Sequence, residues 1–169
     1  MEFKLRPWTE KDLPHLVKHA NNFNIAKMLT DKFPHPYTLE SGKFFLKLAN
    51  QFDPPQILAI DIEGEAVGAL GLHPQSGIQI KNAELGYWLS EDHWGQGIIS
   101  RAIPQIVDYG FKILEVDRIF ARPFGHNIAS QRVLEKAGFK FEARFEKSLY
   151  KCDEYVDELF YAVRRRDWK

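Results

Sequence analysis

The 169-residue chain holds a single cysteine, Cys152, so no intramolecular disulfide can staple it. It also lacks an excess of charge: Lys plus Arg and Asp plus Glu are both 23, and a formal net charge of zero gives no global field toward nucleic acid or an anionic membrane. Any charged partner has to be met locally. No apolar run approaches the roughly 20 residues that a membrane-spanning helix needs, and the opening MEFKLRPW has neither the basic nor the apolar region of an export signal. Internal repeats and low-complexity segments are missing as well, which sets aside repeat arrays and long linkers. The expectation is a soluble, cytoplasmic protein. What the chain does have is 44% apolar and 14% aromatic residues, enough for a sizeable core in one globular domain spanning residues 1–169.

Periodicity assigns the elements. FKLRPW alternates like a short strand, and TEKDLPHLVKHANN offers Thr9 as N-cap, with Asp12 three residues on and Leu13, Leu16, Val17 and Ala20 on one helical face. After a loop holding Pro34 and Pro36, Thr38 can cap LESGKFFLKLANQ, where Leu39, Phe45 and Leu48 make a narrower apolar stripe. From Gln56 the period shortens. QILAIDIEGEAVGALGLHP reads as two strands turning at Glu63-Gly64, and IKNAELGYWLS as a third, the three forming consecutive antiparallel strands. The next helix carries Ile103, Ile106, Val107, Gly110, Phe111 and Leu114 at helical spacing. Because Pro104 is tolerated only near a helix start, this helix is expected to begin close to Ile99 or Ser100. RIFARPF is a short β-rich run, Asn127 caps IASQRVLEKAG, and Gly138 supplies the left-handed stop. The remaining FKFEARFEKSLYKCDEYVDELFYAVRR reads as a hairpin, and the order is β-α-α-β-β-β-α-β-α-β-β.

Chemistry enters at SEDHWGQGIIS, where Gly95 and Gly97 stand between a strand and a helix. A helix N-terminus leaves N–H groups unpaired and carries about half a positive charge, so a loop free of side chains in front of it can cradle a phosphate. A tight strand-to-helix turn is the other use of the same glycines. The loop is not of the nucleoside-triphosphate kind, since G-x-x-x-x-G-K-[ST] is absent, and only G-x-G survives of the dinucleotide fingerprint, with Ser100 in place of the third glycine.

AELGYWLSEDHWGQGIIS, followed about 30 residues later by NIASQRVLEKAGFK, resembles the GNAT superfamily of acetyl-CoA-dependent N-acetyltransferases. Within it the wording is similar to the RimJ/RimL branch, which acetylates protein N-termini and, in related members, other amines. The resemblance runs from LRPWTEKDLPHL to VDELFYAVRRRDW. It implies an α+β (mixed α/β) GNAT fold, with a central mixed, mostly antiparallel sheet of about seven strands flanked by about four helices. It implies acetyl-CoA as donor and no metal.

The same resemblance implies site residues. Behind Trp94 and Gly95, the amides of Gln96, Gly97, Ile98, Ile99 and Ser100 would meet the pyrophosphate, with Gly97 as the strict position. Trp94 stands where a basic or amide residue is usual and Ile99 where a small one is; Ile99 is expected to point inward, starting the Ile103 face. Backbone groups of Trp88, Leu89 and Ser90 would pair with the pantetheine arm as another strand would, where the strand parts from its neighbour at a bulge. Transfer requires the acceptor ammonium to lose a proton and the leaving thiolate to be stabilised. Glu84 stands at the family's base position. Asn127 and Ser130 match an Asn and its partner near the sulfur, where they can hold water or donate to the thiolate; capping is their alternative role. Leu134 replaces a tyrosine common in relatives, which leaves Ser130, water, Tyr87 or Tyr150 as proton donor. The acceptor implied is a primary amine, a peptide or protein N-terminus of ribosomal type being favoured. A polyamine or antibiotic amine and an inactive acetyl-CoA-binding module are the alternatives. Neither nucleic acid nor membrane is an expected partner, and the state is monomer or homodimer.

Other residues carry less. His15 and His19 lie four apart but lack the Glu of H-E-x-x-H and a third ligand, so a solvated helix face is expected rather than zinc. Cys152 reads as incidental. DEYVDE at 153–158 either draws a cationic amine or is a solvated hairpin, and RRR at 164–166 reads as a solvated tail.

Overall fold

Most of the caps and turns legible in the sequence delimit the elements of the computed structural model, which describes residues 1–168. The elements are β1 (Lys4–Pro7), α1 (Leu13–Ala20), α2 (Phe23–Ala26), α3 (Leu39–Ala49), β2 (Ile57–Ile62), β3 (Glu65–Pro74), β4 (Asn82–Leu89), α4 (Ile98–Ile113), β5 (Arg118–Ala121), α5 (Ile128–Lys136), β6 (Lys140–Lys151) and β7 (Glu154–Arg164). This is the expected order with one addition, the single turn of α2, where the Asn22 side chain accepts from the Asn24 N–H at 2.8 Å. The strand order is β1-β2-β3-β4-β5-β7-β6. β4 and β5 run parallel, while β1–β2, β2–β3, β5–β7 and β6–β7 are antiparallel. Glu63 and Gly64 both take positive φ, 53° and 91°, the turn geometry whose twist matches a tight hairpin.

Two compact units interleave in the sequence: Met1–Gly71 with Tyr87–Ala102, and Leu72–Gly86 with the chain from Ile103 onward. In the first unit, the Asp12 carboxylate accepts from the Thr9 backbone N–H at 2.8 Å and opens a 3-10 turn that runs into α1. Leu16 and Ala20 of α1 are fully buried. α1 and α3 approach so closely that a Cβ on Gly42 would sit 2.7 Å from Leu13 Cδ1 and 2.9 Å from Val17 Cγ2. The buried side of α3 is therefore Gly42, Leu46 and Ala49, with Phe45 edge-on to Trp8 at 5.2 Å. The stripe expected from Leu39, Phe45 and Leu48 is corrected here: Leu39 and Leu48 are exposed, because the glycine sets which face can approach α1.

Arg6 ties the first unit together. Its Nε donates to Asp61 at 2.6 Å, and its two terminal nitrogens donate to the two oxygens of Asp12 at 2.8 and 2.7 Å. Asp12 and Asp61 are buried, so β1, β2 and the start of α1 share one guanidinium. Burial alone would raise both carboxyls, but the Arg6 guanidinium, with the Thr9 and Gly64 N–H groups, outweighs it and holds both below the ordinary value.

In the second unit, the part of α4 from Ile103 buries Ile103, Ile106 and Val107, and Gly110 lets the helix approach Leu72 and Ile119. α4 begins at Ile98, slightly earlier than expected, so Pro104 lies in its second turn and not its first. The tail reading of RRR is also corrected. Arg165 donates to the carbonyls of Phe111, Leu114 and Val116 at 2.6, 2.8 and 2.9 Å, capping the C-terminal end of α4, while Arg164 pairs with Glu142 at 2.6 Å.

The depressed carboxyls of Asp12 and Asp61 give a signed pH dependence. Their stabilisation is complete above the unfolded value of about 3.9 and is lost as pH falls through the lower folded values. Arg6→Gln leaves Asp12 buried without its counter-charge and Asp61 with only the more distant Lys4 at 3.9 Å, and urea unfolding at pH 7 is expected to show a loss of about 3–5 kcal/mol. The loss should shrink toward pH 4, where protonation relieves the unpaired acids; an equal loss at both pH values would contradict this account.

Candidate functional site

The first unit supplies the end of β4 and the glycine loop. Bonds from Gln75 N–H to the Asn82 carbonyl (2.9 Å) and from Ser90 N–H to the Val67 carbonyl (2.8 Å) show that even-numbered β4 residues turn their peptide groups toward β3. The odd-numbered Tyr87 and Leu89 therefore turn theirs away from it. This revises the pairing expected of Trp88 and Ser90: the Ser90 N–H is committed to Val67, its carbonyl accepts from His93 N–H at 3.0 Å, and Leu89 is the residue of the three with groups facing outward. The Leu89 carbonyl accepts one bond, from the Trp94 indole at 2.8 Å. β4 pairs with β5 from Asn82 to Glu84, and β5 ends at Ala121 while β4 runs on to Leu89.

Gly95 and Gly97 both lie in the left-handed region, at φ 73° and 69°. A Cβ on Gly95 would touch nothing and one on Gly97 only Ser100 Oγ at 3.7 Å, so backbone conformation, not crowding, requires glycine here. The Gln96 side-chain Nε2 donates to the Asp92 carbonyl at 3.1 Å and Ser100 Oγ to the Gly97 carbonyl at 3.0 Å, which ties the loop to its two flanks. Ile98, at 1% exposure, is the buried residue of this turn, whereas Ile99 is half-buried, so the inward role expected of Ile99 belongs to Ile98.

The second unit holds the remaining candidates. Both Glu84 oxygens accept from Arg122, Oε1 from Nε and Oε2 from a terminal nitrogen, each at 2.9 Å, and the other terminal nitrogen reaches Glu158 at 3.2 Å. The Arg122 guanidinium is held above its ordinary value, first by the bond to Glu84, against the opposing effect of burial. Asn127 Oδ1 accepts from the Ser130 N–H at 3.1 Å, so capping of α5 is a real role for that pair. Leu134 is fully buried. Tyr150 is exposed in the hairpin, edge-on to Tyr155 at 5.2 Å.

Two sequence expectations change. His19 is not on a solvated face: it is buried, with Nε2 2.6 Å from Glu65 and Nδ1 2.9 Å from Ser90 Oγ. Glu65, which also takes Lys18 at 2.9 Å and faces His15 at 3.2 Å, is pulled down to about 2, chiefly by Lys18 and then His19. With Glu65 ionised, His19 Nε2 is the donor of that pair, and Nδ1 meets the Ser90 hydroxyl. The acids of 153–158 are in part neutralised, Asp157 by Arg144 and Glu158 by Arg122.

The sequence pattern of the acetyltransferase (GNAT) domain matches residues 2–140. The chain belongs to the GNAT acetyltransferase family. As a member it is an acetyl-CoA-dependent N-acetyltransferase. It is 26% identical over 166 residues to the uncharacterized N-acetyltransferase YnaD of Bacillus subtilis, covering 97% of this chain and 94% of that one. It is 32% identical over 100 residues to the ribosomal-protein-serine acetyltransferase of Escherichia coli, an alignment covering 59% of this chain and 55% of that protein. Among solved structures, the ribosomal L7/L12 alpha-N-protein acetyltransferase RimL in complex with coenzyme A superposes with a TM-score of 0.84 at 22% identity, covering 96% of this chain and 93% of that chain. That likeness is one of fold. These relatives support the RimJ/RimL-like branch within the family.

The acetyltransferase offers a check on Asn127. Asn127→Ala should lower stability in urea by about 1 kcal/mol through loss of the cap, and Asn127→Asp, which can still accept from Ser130 N–H, should restore most of it. A stable Asn127→Ala protein would show that the α5 cap carries little.

Proposed function

We propose that the protein transfers the acetyl group of acetyl-CoA to a primary amine by direct attack, with an N-terminal amine of a peptide or protein as the favoured acceptor. The observation that carries the donor side is the pair of left-handed glycines, Gly95 and Gly97, immediately ahead of the 16-residue helix α4. They present the amides of Gln96 to Ser100 with no side chain at the glycines, and an anion gains there from unpaired N–H groups and the helix dipole. The residues thus fit a pyrophosphate. Half-buried Ile99 follows Ile98 here, at the position where the family resemblance implies a small residue. Leu89 extends an outward peptide edge to a pantetheine amide. When bound, acetyl-CoA supplies the activated thioester; every proton movement falls to the chain and to water.

Glu84 is our candidate base. Its two oxygens each keep a lone pair beyond the Arg122 fork, enough to accept a proton directly or through water. Asn127 and Ser130 would hold water or donate to the leaving thiolate, one amide serving both cap and site. The likeness to the ribosomal-protein-serine acetyltransferase over 100 residues supports a protein acceptor.

Calorimetric titration with acetyl-CoA tests the donor side. We expect saturable heat with one site per chain, a thermal upshift of the protein, and at least about tenfold weaker binding for Gly97→Val, whose β-branched residue is strained at φ 69°. No heat and no thermal shift at millimolar ligand would overturn the proposal. Binding without CoA release on any amine would leave the inactive module standing instead.

A further inference from the structure

We infer that Arg122 is a positioning residue for Glu84, and that Glu158 holds Arg122 in place. This rests on the reading of Glu84 as base. The spacing of the three in the sequence gives no hint of it, and Glu158 lies beyond residue 140, where the family pattern ends.

The geometry is that of a clamp. The Nε and one terminal nitrogen of Arg122 meet the two Glu84 oxygens at equal distances of 2.9 Å, the fork-to-fork arrangement that fixes a carboxylate plane as well as its position. The remaining terminal nitrogen donates to Glu158 at 3.2 Å, and the guanidinium lies 6.0 Å from the Phe160 ring centre. The backbone under Arg122 is fixed to the same strand. Leu159 N–H donates to the Pro123 carbonyl at 3.1 Å, Gly125 N–H to the Asp157 carbonyl at 2.8 Å, and Phe124 bridges Glu158. From the end of β5 the guanidinium thus joins Glu158 of β7 to Glu84 of β4.

A guanidinium cannot itself exchange a proton at working pH, so Arg122 is not an acid or base in the reaction. What it does is hold Glu84 in one rotamer, with its outer lone pairs presented in a constant direction. A base that wanders by about 1 Å forfeits on the order of a hundredfold in rate, and the Arg122 fork holds both Glu84 oxygens. The trio carries two carboxylates and one guanidinium, a net charge of 1 − 2 = −1. That surplus leaves the clamp attractive to an incoming ammonium.

The test measures CoA release from acetyl-CoA with two probe amines, a short peptide with a free N-terminal serine and spermidine. Arg122→Ala should lower kcat by on the order of tenfold to a hundredfold while the KM for acetyl-CoA stays unchanged. Added methylguanidinium should restore part of that loss, since it can rebuild the fork without the chain. Arg122→Lys should remain impaired, having no fork, and Glu158→Gln should show a smaller kcat loss that methylguanidinium does not repair. Circular dichroism confirms that each variant is folded; if Arg122→Ala is not, Glu158→Gln and Arg122→Lys carry the test. Full activity or a gain in Arg122→Ala, or a loss that methylguanidinium leaves untouched, overturns the assignment. Failure of the underlying reading shows differently: Glu84→Gln would then be as active as wild type, or the wild type would release no CoA with either amine.

Discussion

Two carboxylates, Asp12 and Asp61, are buried in the first unit, and a single guanidinium answers both. Asp61 stands in β2, every residue of which is buried, and Asp12 ends the 3-10 turn that leads into α1. Without Arg6 both acids would lose the charge nearest to them, and buried charge left short of its partner costs several kcal/mol. The arrangement fixes the direction in which α1 leaves β1, and that direction decides where Leu16 and Ala20 go and which face of α3 can meet them. The close contact at Gly42 follows. So do the positions of His19 and Asn22 at the far end of α1, which reach Ser90 and Glu91 just ahead of the glycine loop. A charge cluster at one end of a short helix thereby orders the approach to the helix α4 at the other.

Local signals in the sequence are readable because their partners lie within a turn. Thr9 with Asp12, Thr38 with Ser41, Asn127 with Ser130, and Gly138 at φ 90° all involve neighbours three or fewer residues away or a single backbone angle. The errors have a common cause of another kind. One residue of displacement on an α-helix rotates a side chain by about 100°, so a helix start misplaced from Ile98 to Ile99 exchanges the buried side chain for a half-buried one. The α3 stripe failed for a related reason: hydrophobicity counts Leu39 and Leu48, whereas packing is decided by the small residue, Gly42, that lets another helix approach.

The candidate site was legible as a set of segments and much less so as a set of partners. The glycine loop and the Asn127 cap are contiguous patterns. The partners of Glu84, His19 and Arg165 lie 38, 46 and 49 or more residues away, and nothing in composition or spacing marks which arginine meets which acid. Parity along β4 was equally hidden, since choosing between Leu89 and Ser90 requires knowing which residues bond to β3, and that register is set by pairing outside the strand. Arg165 is instructive because its run of three arginines has the look of a solvated tail. Its distinction from Arg166 comes only from the carbonyls that α4 leaves at its end.

The chain uses the same stoichiometry, one arginine to two acids, in both units, and the difference in burial separates the two uses. Around Arg6 the acids are 5% and 3% exposed and the guanidinium 22%. Around Arg122 the corresponding figures are 26% and 17% for the acids and 37% for the guanidinium. In the first case little water screens the charges, so the cluster is stiff and removal of any member leaves an uncompensated buried charge. In the second, solvent reaches all three groups, exposed ion pairs of that sort contribute little to stability, and so folding alone gives weak reason to maintain a bidentate fork there. A carboxylate held in one orientation while still open to water is what the proposed proton transfer from an amine demands, and it is not something that a stabilising core cluster could offer.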